Sequence, residues 1–124
     1  MENRVSKMFP RTIKIGGLIY KVEQTKDLQG KDGDWGNISY KETTIHLDDN
    51  LTNQLTNQTL IHEITHGVLE EAGYEEQEEE MANRIGKVLY QVLLDNDFSF
   101  LRPDEEVTTE TDCYGQEKPK KDGE

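Results

Sequence analysis

The chain is almost without cysteine: Cys113 is the only one in 124 residues. No intramolecular disulfide can form and no cysteine cage for zinc can be built, so any metal has to be held by histidine and carboxylate. Long apolar runs are missing too. Nothing approaches the roughly 20 residues of a membrane span, and the opening "MENRVSKMFPRTIKIGG" has no apolar stretch of the kind a secretory signal needs. A cytoplasmic address is therefore expected. Hydrophobic residues make up only 32% of the chain, matched by 32% charged ones, which predicts one small domain with a modest core. Positive charge is scarce: 14 Lys and Arg face 26 Asp and Glu, a formal net charge of -12. Such a surface repels nucleic-acid phosphates and anionic membranes, so neither is expected as a partner.

What the chain does have is clear punctuation. Around Gly16-Gly17, "TIKIGGLIYKV" alternates apolar and polar residues, the pattern of a hairpin with strands near 12 to 15 and 18 to 24. The glycine- and aspartate-rich "DLQGKDGDWG", residues 27 to 36, predicts a surface loop, with Trp35 expected to anchor the core. "NISYKETTIHLDD" predicts strands over 37 to 40 and 43 to 47 about a turn at Lys41-Glu42. After Asn50 the apolar period lengthens: Leu51, Leu55, Leu60 or Ile61, Ile64, Val68 and Leu69 recur at helical spacing, with Thr52 or Asn53 placed to cap the start and Gly73 the end. A second helix is expected over 76 to 96, turning Met81, Ala82, Ile85, Val88, Leu89, Val92 and Leu93 toward the first helix and the sheet. The expected fold class is α+β, a small antiparallel sheet of about four strands followed by two packed helices. Beyond Arg102 the sequence is acidic and has Val107 as its only aliphatic residue, too little to offset the entropy of ordering it. A domain over 1 to 102 and a disordered acidic tail over 103 to 124 follow. Cys113 lies in that tail with nothing beside it to lower its pKa, and is expected to be a bystander.

The chemistry concentrates in "TLIHEITHGVLEEAG", residues 59 to 73. His62 and His66 stand four residues apart on one helix, separated by ~40° about its axis and one turn along it, so both imidazoles can reach one ion. Glu63 is turned ~100° from His62 and reaches beside such an ion, where a water would lie, rather than the ion itself. A catalytic zinc needs a third protein ligand. With no cysteine available and His46 in a strand, a carboxylate from the second helix is the simplest source. His66 lies seven residues before Gly73, roughly 10 Å at ~1.5 Å per residue, so the returning helix must climb about five residues to stand level with it. That selects Glu78, Glu79 or Glu80. Periodicity alone favours Glu78, nearest the centre of the apolar stripe, although the small residues at 82 and 86 would admit a close approach on the Glu79 side.

"HEITH" followed by a second helix reading "EEMANRIG" resembles the zincin metallopeptidases with a glutamate third ligand, and in particular the short phage and prophage relatives of the ImmA/IrrE type. The resemblance spans roughly residues 12 to 98. It implies Glu79 as the third ligand, Asn83 as a residue that orients a ligand histidine, and a zinc ion (Zn2+) as cofactor. It also implies hydrolysis of an intracellular protein or peptide substrate, with Glu63 as general base. By analogy with the same superfamily, residues 43 to 47 are expected to form the sheet edge beside which substrate lies. His46, Tyr74 and Tyr40 are candidate donors to a developing oxyanion. A metal-stabilised but catalytically silent binding or regulatory module is the alternative, with Glu63 the residue whose replacement discriminates.

Overall fold

The computed structural model describes residues 9 to 28 and 35 to 102, and the backbone of 110 to 111 and 117 to 118. Two compact units divide it, one reaching Gln91 and the other starting at Val92. The fold is α+β, a four-stranded sheet followed by two helices. Strands β1 (Thr12–Ile15), β2 (Leu18–Thr25), β3 (Gly36–Ser39) and β4 (Thr44–Asp48) lie in the order β1-β2-β4-β3.

Both expected hairpins form. Ile15 pairs with Leu18 across Gly16-Gly17, and Gly16 supplies the positive φ (62°) that the two-residue turn requires. Ser39 pairs with Thr44 around the second turn, where the amide of Glu42 donates to Ser39 Oγ. The sheet is mixed rather than antiparallel throughout, because the hairpins join through a parallel pairing of β2 with β4, Lys21 against Thr44 to Thr25 against Asp48. This also corrects the expected edge. β4 is flanked on both sides, with Thr44, Ile45, Leu47 and Asp48 all buried; the edge strands are β1 and β3.

Helix α1 (Asn53–Glu71) starts where Thr52 Oγ1 accepts from the Leu55 amide at 3.2 Å. It stops in a Schellman arrangement: the Gly73 amide donates to the Glu70 carbonyl, the Tyr74 amide to that of Leu69, and Gly73 holds φ at 103°. Gly67 lets the helix settle on the sheet, since a Cβ there would stand 2.8 Å from Ile15 Cδ1 and 3.2 Å from Ile38 Cδ1. The core beneath is Ile15, Tyr20, Val22, Ile45, Leu47 and Leu60, with Phe9, Ile13, Ile38, Tyr40 and Ile64 packed around it.

Helix α2 (Glu79–Asp95) starts three residues later than expected, with the Glu78 carbonyl accepting from the amides of Met81 and Ala82. Its apolar stripe faces inward only in part. Only Ala82 and Gly86 are buried, while Ile85 and Val88 are 44% and 59% exposed. The helix meets α1 through its small residues: a Cβ on Gly86 would lie 3.2 Å from Thr65 Oγ1 and 3.5 Å from His62 Cα. Large side chains at those two positions would hold the helices apart.

The second unit contains the last turn of α2, a short 3-10 turn at Ser99–Leu101, and a two-residue antiparallel ladder joining Glu110–Thr111 to Glu117–Lys118. The expected disorder over 103 to 124 and the role expected for Cys113 otherwise lie outside the described residues. Among the described residues no helix is long and apolar enough to cross a membrane.

Candidate metal centre

His62, His66 and Glu79 form a group that can hold a metal ion, their nearest ligand atoms all lying within 4.8 Å of one another. The first two stand one turn apart on α1 with their rings edge to face, centroids 4.9 Å apart. The third sits in the first turn of α2, at the height to which the short connection returns the chain. The carboxylate of Glu79 addresses both imidazoles, Oε2 to His62 Nε2 at 2.8 Å and Oε1 to His66 Nε2 at 3.3 Å. Glu78, the rival ligand, lies just ahead of α2 and is not part of the group.

The hydrogen bonds around His66 make its Nδ1 a donor. Gln77 Nε2 donates to the Tyr74 carbonyl at 3.2 Å, and a carbonyl only accepts, so the other end of the amide, Oε1, is the atom that meets His66 Nδ1 at 2.8 Å. His66 therefore donates from Nδ1, and its Nε2 faces Glu79. Two imidazole nitrogens and a carboxylate converging on one place need a positive charge between them, either protons or a cation. A tetrahedral zinc with bonds of roughly 2.0–2.1 Å has ligand-to-ligand edges of about 3.3 Å. The contacts made by Glu79, at 2.8 and 3.3 Å, are of that size. The donor set fits a divalent metal.

Gln77 takes the part expected of Asn83. Asn83 lies on the wall of the adjoining cavity, and among the described hydrogen bonds none joins it to a histidine, whereas Gln77 orients His66 directly. Its trace in the sequence is faint: Gln77 is the one uncharged residue within "EEQEEE", residues 75 to 80. Tyr40 supports the same histidine from the sheet, its hydroxyl donating to the His66 carbonyl at 3.4 Å. Burial pushes the Tyr40 phenol above its ordinary pKa; a hydrogen bond with Gln77 pulls the other way, and the charges of Glu70 and Glu63 add to the rise. The phenol stays a protonated donor at neutral pH.

A cavity of about 550 Å³ opens beside the group, its lining including His62, Glu63, Glu79, Asn83, Lys87 and Trp35. Glu63 is 6% exposed and belongs to this cavity, not to the ligand group. Trp35, expected in the core, is 45% exposed and stands at the cavity wall. Its backbone carbonyl is fixed by the Asp48 amide at 2.8 Å, while Gly36 brings β3 against α1, where a Cβ would meet Thr59 Cγ2 at 2.7 Å. Trp35 thus ends up on the lip of the cavity. Of the candidate oxyanion donors, His46, Tyr74 and Tyr40, none lines it; His46 Nδ1 is engaged with Thr25 Oγ1 at 3.1 Å. Compared with family models, curated proteins and solved structures, the chain matches none.

Proposed function

We propose that the chain is a zinc-dependent endopeptidase that acts in the cytoplasm on a protein or peptide substrate, of the zincin type that "HEITH" and "EEMANRIG" resemble. The observation that carries this reading is the convergence of His62, His66 and Glu79 at one edge of a cavity that also contains Glu63. Histidine and carboxylate donors suit zinc, and three protein ligands leave a position for water, the arrangement of a catalytic rather than a structural site. Bound there, the ion would supply Lewis acidity, polarising a peptide carbonyl and making a water acidic enough to ionise near neutral pH.

The rest is the work of the chain. Glu63, about 100° around α1 from His62, takes a proton from the attacking water and passes it to the amine that leaves, so its carboxylate ends each cycle as it began. Gln77 and Tyr40 hold His66 in the tautomer and place where Nε2 is available. β3, an edge strand that reaches the cavity at Gly36, would receive an extended substrate beside it by strand addition.

Glu63→Gln tests this. Zinc-loaded protein incubated with a mixture of unstructured peptides should generate new termini by mass spectrometry. The variant should lose that activity by about 10²-fold or more, the usual worth of a positioned general base, while keeping its metal. No cleavage by the metal-replete parent, or equal cleavage by parent and variant, contradicts the reading.

A further inference from the structure

The cavity has a second end that the proposed chemistry does not use. Along α2, Glu79, Asn83 and Lys87 follow one another at intervals of four, and all three line the cavity. The row passes from a carboxylate through a neutral amide to an ammonium. Lys87 has no carboxylate within ion-pairing distance among the described residues, although the chain holds 26 acids to 14 bases and the neighbouring Arg84 is paired with Glu80 at 2.7 Å. Trp35 also lines the cavity, on backbone anchored to β4.

We infer that this end is a specificity subsite for a substrate carboxylate, with Lys87 pairing the acid and Trp35 covering the apolar part of the bound segment. The inference rests on reading the cavity as a peptide-binding cleft. The charge row gives it a direction. The ammonium of Lys87 attracts acids at this end, away from the Glu63 carboxylate beside the metal ligands. Eight residues of α2 separate Glu79 from Lys87, about 12 Å along the axis. An extended chain covers that distance in roughly three to four residues at ~3.3 Å each. The preferred substrate therefore carries Asp, Glu or its own terminal carboxylate about that many residues from the bond that is cut.

Two measurements test this. In the first, the zinc-loaded parent is given a diverse peptide mixture and residues around each cut are tabulated. Asp and Glu should be enriched about fivefold at one position three to four residues from the bond, the worth of one exposed ion pair. Lys87→Glu should reverse the preference to Lys and Arg, and Lys87→Met should erase it. Matched peptides with amidated or free ends show whether side chain or terminus supplies the carboxylate. In the second, zinc-loaded Glu63→Gln protein is titrated with tryptophan-free acidic and basic dodecapeptides while the fluorescence of Trp35, the only tryptophan in the chain, is followed. Acidic peptides should bind more tightly and perturb the signal, and Lys87→Glu should invert the order. Binding of that kind without any cleavage would keep the subsite and remove the peptidase. Cleavage or binding indifferent to acidic residues, or a preference that Lys87→Glu leaves unchanged, would overturn the subsite.

Discussion

The two helices are held in different ways. α1 is seated by burial: Thr56, Thr59, Leu60, Glu63, Thr65 and Gly67 are all enclosed, and its ends are closed by a threonine cap and a glycine-terminated turn. α2 buries only Ala82 and Gly86, leaves much of its apolar stripe exposed, and is tied to α1 by the small-residue contact and by the contacts of Glu79 with two histidines. The difference teaches where rigidity comes from in a small acidic chain. One helix belongs to the core, while the other meets it through two small residues and a group that could hold a metal ion.

The largest effect should come from testing that contrast head-on. Ile45→Ala, in the closed core, is expected to destabilise by about 2–5 kcal/mol, whereas Ile85→Ala on the exposed stripe of α2 should change stability by no more than about 0.5 kcal/mol. Denaturant unfolding measures both, and equal losses would show that the stripe is covered.

A smaller effect is expected where the site meets its support. Gln77→Leu leaves His66 Nδ1 without its acceptor and should weaken zinc affinity by about 10–100-fold in a competition titration with a chelator, while Gln77→Glu, which keeps an acceptor, should restore it. An unchanged affinity in the leucine variant would make the contact incidental.

The smallest effect concerns alkaline pH. Burial pushes the phenols of Tyr20 and Tyr40 up, and Glu71 and Glu70 add to the rise at Tyr20. In the unfolded chain tyrosine ionises near about 10, so the folded chain keeps these protons longer. The stability this contributes is complete below the unfolded pKa and is lost as pH climbs through the folded one. Tyr20 is fully enclosed and its hydroxyl has no hydrogen-bond partner among the described residues. Tyr20→Phe should therefore leave stability at pH 7 unchanged or slightly raised, and should flatten its decline between pH 9 and 11. A steeper decline in the variant would contradict this.

The parts of the fold legible in the sequence are those set by local signals. Strand positions, the Gly16-Gly17 turn, the Thr52 cap and the Gly73 stop follow from residues within a few places of one another, as does the spacing of His62, Glu63 and His66. The parallel pairing of β2 with β4 was not legible, because it joins segments some twenty residues apart and leaves each strand's own pattern unaltered. The buried face of α2 was misleading for a different reason. Its apolar stripe suggests the inward side, yet a close approach to α1 requires Ala82 and Gly86 at the contact. Periodicity favoured Glu78; the resemblance and those same small residues pointed to the Glu79 side, where the structure forms its ligand group. Gln77 was hidden in a run of glutamates, and Lys87 gains its interest only from the cavity it lines.

The central claim is that His62, His66 and Glu79 together hold one divalent ion. Elemental analysis of protein purified without an affinity tag or chelator, then supplied with zinc and desalted, tests it most directly when the parent is set beside His62→Ala and Glu79→Ala. The account predicts close to one zinc per parent chain and its loss from both variants, with all three folded by circular dichroism. A parent that stays metal-free, or a Glu79→Ala variant that holds zinc as well as the parent does, would contradict it.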